Sequence, residues 1–199
     1  MLSFFNKKSS QKGFTMVELI VSMSIITILS TIVFYRSRSG ERNYALRRST
    51  QAVLQGINTA ANNALSGKWH DGTVSRGGYG VHFETGDNFI TVFADCNENG
   101  TFDDIGTAPS CVESPDLGIA YPELYSTIQL ESFMEVSALA GDSAINQLDI
   151  TFIPPNALAV IRPILLSEDE VMIEIENTQE GNSIQIYVNK AGATRMVIP

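Results

Sequence analysis

Lys12-Gly13-Phe14-Thr15-Met16-Val17-Glu18-Leu19 opens an apolar run that reaches Tyr35. Glu18 is the only charged residue among the 22 from Phe14 to Tyr35. At about 1.5 Å per residue, a helix of that length spans about 33 Å, enough for the hydrocarbon core of a bilayer. The other polar members of the run are Ser and Thr, whose hydroxyls can bond carbonyls of their own helix. A carboxylate at mid-bilayer costs roughly 2.5–3.5 kcal/mol, so Glu18 asks for a partner. Lys7, Lys8 and Lys12 precede the run, and Gly13 leaves room for a peptidase.

These residues resemble the class III signal of type IV pilins and type II secretion pseudopilins. The resemblance implies that a prepilin peptidase of the inner membrane cuts after Gly13 and that Phe14 becomes an N-methylated first residue. It also implies that Glu18 pairs with the N-terminal amine of a neighbouring pilin or pseudopilin as a filament assembles. The physics agrees, because an ammonium and a carboxylate cost far less in lipid as a pair than apart. A secretory signal peptide fits less well, since it has an apolar core of about 7–15 residues followed by a small-residue cleavage site. A plain membrane anchor is the other alternative. Basic residues flank the run on both sides, so the positive-inside rule does not orient it. The resemblance does, implying a single pass through the inner membrane with an exported C-terminal domain that enters a pilus or a periplasmic pseudopilus.

Charge is distributed unevenly along the chain. The formal net charge is −9, and removing the three leader lysines makes it −12. Arg36 to Lys68 holds six basic residues against Glu41 alone, whereas from Trp69 onward 20 acids face Arg76, Arg162, Lys190 and Arg195. An acidic exposed domain repels phosphate backbones, which makes nucleic acid a poor partner. A solubilising acidic face is the plainer reading of that surplus.

The organisation expected is a leader over 1–13, a helix over 14–66 and a β-rich domain over 67–199. Within the helix, residues 14–35 would be transmembrane and 36–66 amphipathic. Leu46, Val53, Ile57, Ala60, Ala61, Ala64 and Leu65 form one stripe at helical spacing. Gly56 weakens that helix by about 1 kcal/mol relative to Ala and permits a bend. Ser66-Gly67 supplies its stop. Beyond Gly67 the period falls to two. Strands are expected at 80–83, 89–93, 127–133, 147–153, 157–161, 171–176 and 183–189, with turns at 85–88 and 179–182. The fold class is therefore α+β, a long helix packed on antiparallel sheet, as in type IV pilins.

Gly78-Tyr79-Gly80-Val81, then Val92-Phe93-Ala94-Asp95-Cys96-Asn97-Glu98-Asn99-Gly100, then Gly192-Ala193-Thr194-Arg195 are similar to the GspH/FimT-like branch of minor pilins. DNA-binding members carry a basic C-terminal cluster, and this tail offers only Arg195 beside Lys190.

The loop in that pattern is the one candidate for a bound ion. Asp95, Asn97, Asn99 and Asp103 occupy places one, three, five and nine of a calcium-loop spacing, with Gly100 sixth. Gly106 stands where the bidentate Glu would be, so calcium and a plain Asp/Asn/Gly turn both remain open. Cys96 and Cys111 read as a disulfide in an exported domain, with metal thiolates the weaker alternative. Closing that loop would stabilise the fold by about 3 kcal/mol. His70 and His82 have no metal-ligand spacing, and no nucleophile elbow or phosphate loop is present, so an enzyme is not expected. Trp69, Phe83, Phe89 and Phe93 are expected in the core.

Overall fold

A computed structural model describes residues 13–70, 73–103, 123–140, 144–163 and 170–198. Helix α1 runs Met16–Ser66. Thr15 caps it, accepting the Glu18 N–H on Oγ1 at 3.2 Å and the Leu19 N–H on its carbonyl at 3.2 Å. This is the Thr-x-x-Glu start that satisfies otherwise orphaned N–H groups. At the other end the Gly67 N–H bonds Ala64 O at 3.3 Å and the Lys68 N–H bonds Asn63 O at 3.0 Å. Those two bonds make a Schellman motif, and Gly67 takes the left-handed φ of +56° that it requires.

The chain forms two compact units, Met1–Glu41 and Arg42–Pro199. In the first, Met16–Phe34 is long and apolar enough to cross a membrane, with a mean hydropathy of 2.2. Four of its hydroxyls are satisfied internally: Ser22 bonds Glu18 O, Ser24 bonds Ile20 O, Thr27 bonds Met23 O and Thr31 bonds Thr27 O, all within 2.9 Å. These four hydroxyls therefore need no partner in lipid, whereas the charge of Glu18 does.

The second unit is built from antiparallel strands and the α1 residues from Arg42 onward. Its strands are β1 Trp69–His70, β2 Thr73–Val74, β3 Gly78–Glu84, β4 Phe89–Asp95, β5 Leu124–Gln129 and β6 Met134–Ala140. They continue as β7 Ala144–Ile145, β8 Gln147–Ile153, β9 Leu158–Arg162, β10 Glu170–Asn177, β11 Ser183–Asn189 and β12 Thr194–Val197. Two five-stranded sheets result, ordered β5-β4-β3-β8-β9 and β12-β11-β10-β6-β7, while β1 and β2 pair by themselves. The chain visits the second sheet (β6, β7), returns to the first (β8, β9) and then completes the second.

One apolar core joins both sheets to α1. Leu46, Val53, Ile57, Ala60 and Ala64 meet Val81, Ile90, Val92 and Ile150 of the first sheet and Val136, Ile173, Ile175 and Ile186 of the second. Gly56 is buried against β4 and β5, where a Cβ would come within 2.9 Å of Ile90 Cδ1 and 3.0 Å of Ile128 Cδ1. The helix is continuous through Gly56, whose missing side chain lets helix and sheet come close. Leu65 and Trp69 depart from expectation, being 55% and 68% exposed. Leu65 lies one residue past the buried Ala64 face, and Trp69 belongs to the small β1–β2 arm outside both main sheets. The strand expected over 127–133 is also redrawn: β5 ends at Gln129, and β6 begins at Met134 after the turn.

Candidate functional site

The loop after β4 folds back over the face of the first sheet turned away from α1. Asp95 ends β4 with its carboxylate buried, accepting the Asn99 N–H at 3.2 Å and the Gly100 N–H at 2.9 Å. Asn97 and Asn99 each donate Nδ2 to Asp103 Oδ2 at 2.7 Å. Their own oxygens accept the N–H groups of Asn99 and Thr101 at 3.0 and 2.8 Å. The structure thus brings the four candidate calcium ligands into one loop, with their polar atoms engaged by one another. Among the described residues no group of three or more His, Cys, Asp or Glu is placed to hold a metal ion. Cys96 is half-buried beside the loop, and Cys111 lies outside the described residues.

Two residues complete this cover in ways its spacing does not announce. Glu123, fully buried just before β5, accepts the Cys96 N–H at 3.1 Å and the Asp103 N–H at 3.0 Å, one on each carboxylate oxygen. Burial pushes its pKa up to about 7; the two N–H bonds oppose the rise, and the charges of Asp95 and Asp103 add to it. Burial also raises the Asp95 pKa, against N–H bonds from Gly100, Glu98 and Asn99. Phe102 lays its ring 5.2 Å from His82 and 5.6 Å from Phe93. Its N–H reaches Asp149 Oδ1 at 3.3 Å, which His82 Nδ1 also approaches at 2.8 Å. Register explains the pairing, since His82 and Asp149 are directly opposed on β3 and β8. No local sequence signal marks Glu123 or Asp149, because each meets its partner across tens of residues.

The N-terminal candidates lie at the start of α1. Gly13 and Phe14 precede the helix in exposed, irregular backbone, and among the described residues nothing beyond the chain neighbours lies within 4 Å of where a Gly13 Cβ would stand. Glu18 is exposed in the first turn, three residues after its cap, where an acid favours the helix dipole. Residues 8–34 match the prokaryotic N-terminal methylation motif. No curated protein and no solved structure matches the chain. The motif implies a membrane-anchored, pilin- or pseudopilin-like subunit that a prepilin peptidase processes and that assembles with other pilins. Subunits of that kind are structural and, in general, not enzymes.

At the opposite end of the chain, Arg195 is engaged within its own domain. Its Nη2 pairs with Glu170 at 2.7 Å, and its guanidinium sits 4.1 Å over the Tyr187 ring.

Proposed function

We propose that this protein is a minor pilin or pseudopilin, a structural subunit of a type IV pilus or type II secretion pseudopilus. In this reading the prepilin peptidase cleaves between Gly13 and Phe14, and Phe14 is N-methylated. The leader is then 1–13, the helix 14–66 anchors the subunit with 14–35 in the membrane, and 67–199 is the exported domain. Glu18 pairs with the N-terminal amine of a neighbour during assembly. The observation that carries this is the methylation motif over 8–34, lying at the start of a helix whose membrane-length segment holds Glu18 as its only charge.

Placement in the GspH/FimT-like branch rests on the two-sheet domain, the Asp95–Asp103 loop and the hairpin of β11 and β12 closed by Lys190-Ala191-Gly192-Ala193. A disulfide between Cys96 and Cys111 is part of the same proposal, supported by the absence of a free cysteine among the described residues. The ion pair and ring contact that engage Arg195 favour a structural subunit over a DNA receptor. Intact-mass measurement of protein from native membranes tests the proposal. The expected species lacks residues 1–13 and carries one extra methyl group. Retention of those residues, or loss of everything through Tyr35, would refute it.

A further inference from the structure

At the β8–β9 end of the first sheet's outer face lies a cleft of about 790 Å³. Its polar lining is Glu84, Thr101, Asn146, Gln147, Asp149 and Arg162. Register sets Asp149 between His82 on one side and Arg162 on the other. Asp149 turns to His82 and the Phe102 N–H, at 2.8 and 3.3 Å. Arg162 is left without a partner among the described residues, and its Nε is buried and unbonded. A buried donor without a partner is rare enough in folded proteins to ask for an explanation. The side chains of Glu84, Thr101, Asn146 and Gln147 also make no hydrogen bond among the described residues.

The mixture of groups selects the ligand chemistry. Arg162 only donates, a carboxylate such as that of Glu84 accepts, and the two amides and the Thr101 hydroxyl do both. A small anion here would face Glu84 and Asp149, and a bare cation would face Arg162. A hydroxyl donates and accepts, so a ligand carrying several can satisfy every group in the set. Ile145 and Pro163 add apolar surface for C–H faces. The volume falls within the roughly 300–1,000 Å³ of small-ligand clefts. We propose that this cleft binds a short neutral saccharide, with hydroxyls shared among Arg162, Glu84, Asn146 and Gln147. All of these residues belong to the Arg42–Pro199 unit, away from the residues proposed for processing and for pairing with a neighbour, Gly13, Phe14 and Glu18.

The test uses the full chain in lipid nanodiscs and saturation-transfer NMR, with maltotriose, cellotriose and chitotriose as neutral probes and empty nanodiscs as the blank. Saturation should reach at least one trisaccharide. Its affinity should fall about tenfold in Arg162→Gln, the loss of one charged hydrogen bond. The exposed-rim variant Gln147→Ala should weaken it too, and this variant keeps the test valid if Arg162→Gln fails to fold. Arg195→Gln, at the far sheet, should bind as the parent chain does. No transfer to any of the three probes would overturn the proposal, as would transfer undiminished in folded Arg162→Gln and Gln147→Ala. Full displacement of the sugar by millimolar acetate or calcium would make the cleft an ion site and overturn it equally.

Discussion

Glu18 and Glu123 are carboxylates that water does not stabilise in the usual way, and each yields a prediction. Replacing Glu18 by Ala removes a charge from lipid, so insertion of the helix should persist or improve. In the proposed assembly the neighbour's N-terminal amine would then lack its partner. The expected result is Glu18→Ala in the membrane fraction and depleted from sheared filaments. Equal incorporation of variant and parent would remove the pairing. Glu123 acts on stability instead. Its pKa rises from 4.5 to about 7 on folding. Between those values the folded chain holds a proton that the unfolded chain has released. Stability is therefore fully present below pH 4.5 and is lost as pH climbs through about 7. Glu123→Gln cannot titrate, so thermal melts should lose that part of the slope between acid and neutral pH. A slope identical to the parent's would mean Glu123 is ionised throughout. The residues of the N-terminal signal are legible in sequence because they act locally. Glu123 and Asp149 are not, because strand pairing alone brings them to the loop.

Among the glycines where elements approach closely, Gly80 and Gly56 differ in tolerance. Gly80 on β3 lies opposite Phe93 on β4, and a Cβ there would stand 2.4 Å from the Phe93 ring and 2.9 Å from Thr151 Oγ1. That ring is held in turn by Phe102, so it cannot swing aside without lifting the loop. Gly80→Ala should therefore destabilise by about 1–3 kcal/mol, as overpacking does. At Gly56 the obstacles are the Cδ1 ends of Ile90 and Ile128, which can rotate, and Ala gains up to about 1 kcal/mol of helix propensity. Gly56→Ala should leave stability within about 1 kcal/mol of the parent. Chemical denaturation of both variants compares the two sites directly, and a Gly80→Ala loss well below about 1 kcal/mol would show that space near Gly80 is not limiting. The alternation of Ile184, Ile186 and Val188 makes β11 readable from sequence, as does the β3–β4 turn. Met134–Ala140 hides β6, because its Ala and Ser positions blur the period and its pairing with β10 contains a register shift. The β1–β2 arm is too short to show any period.

For the whole molecule, two forces could hold the Asp95–Asp103 loop to its sheet, a bound cation or the protein's own cross-links. The charge of Asp103 bears on Asp95, the charges of both bear on Glu123, and a divalent cation would relieve that repulsion. The protein already supplies an alternative, since the amides of Asn97 and Asn99 converge on Asp103 and backbone N–H groups converge on Asp95 and Glu123. Binding calcium would require both amides to turn and those contacts to break. A ligand specific to the folded state stabilises by about 2.7 kcal/mol at a hundredfold excess over Kd. A disulfide closing the loop would contribute about 3 kcal/mol in the chain-entropy model, or roughly 6–12 °C in a protein of this size. The two accounts separate in one experiment on the full chain in detergent, melted with millimolar calcium or chelator, oxidised or reduced. We expect the melting temperature to fall on reduction and to be the same with calcium as with chelator. A rise with calcium that Asp95→Ala abolishes would instead make the loop a cation site, with its amides turned from the geometry seen here. No change on reduction would leave the loop held by its hydrogen bonds and by the ring of Phe102.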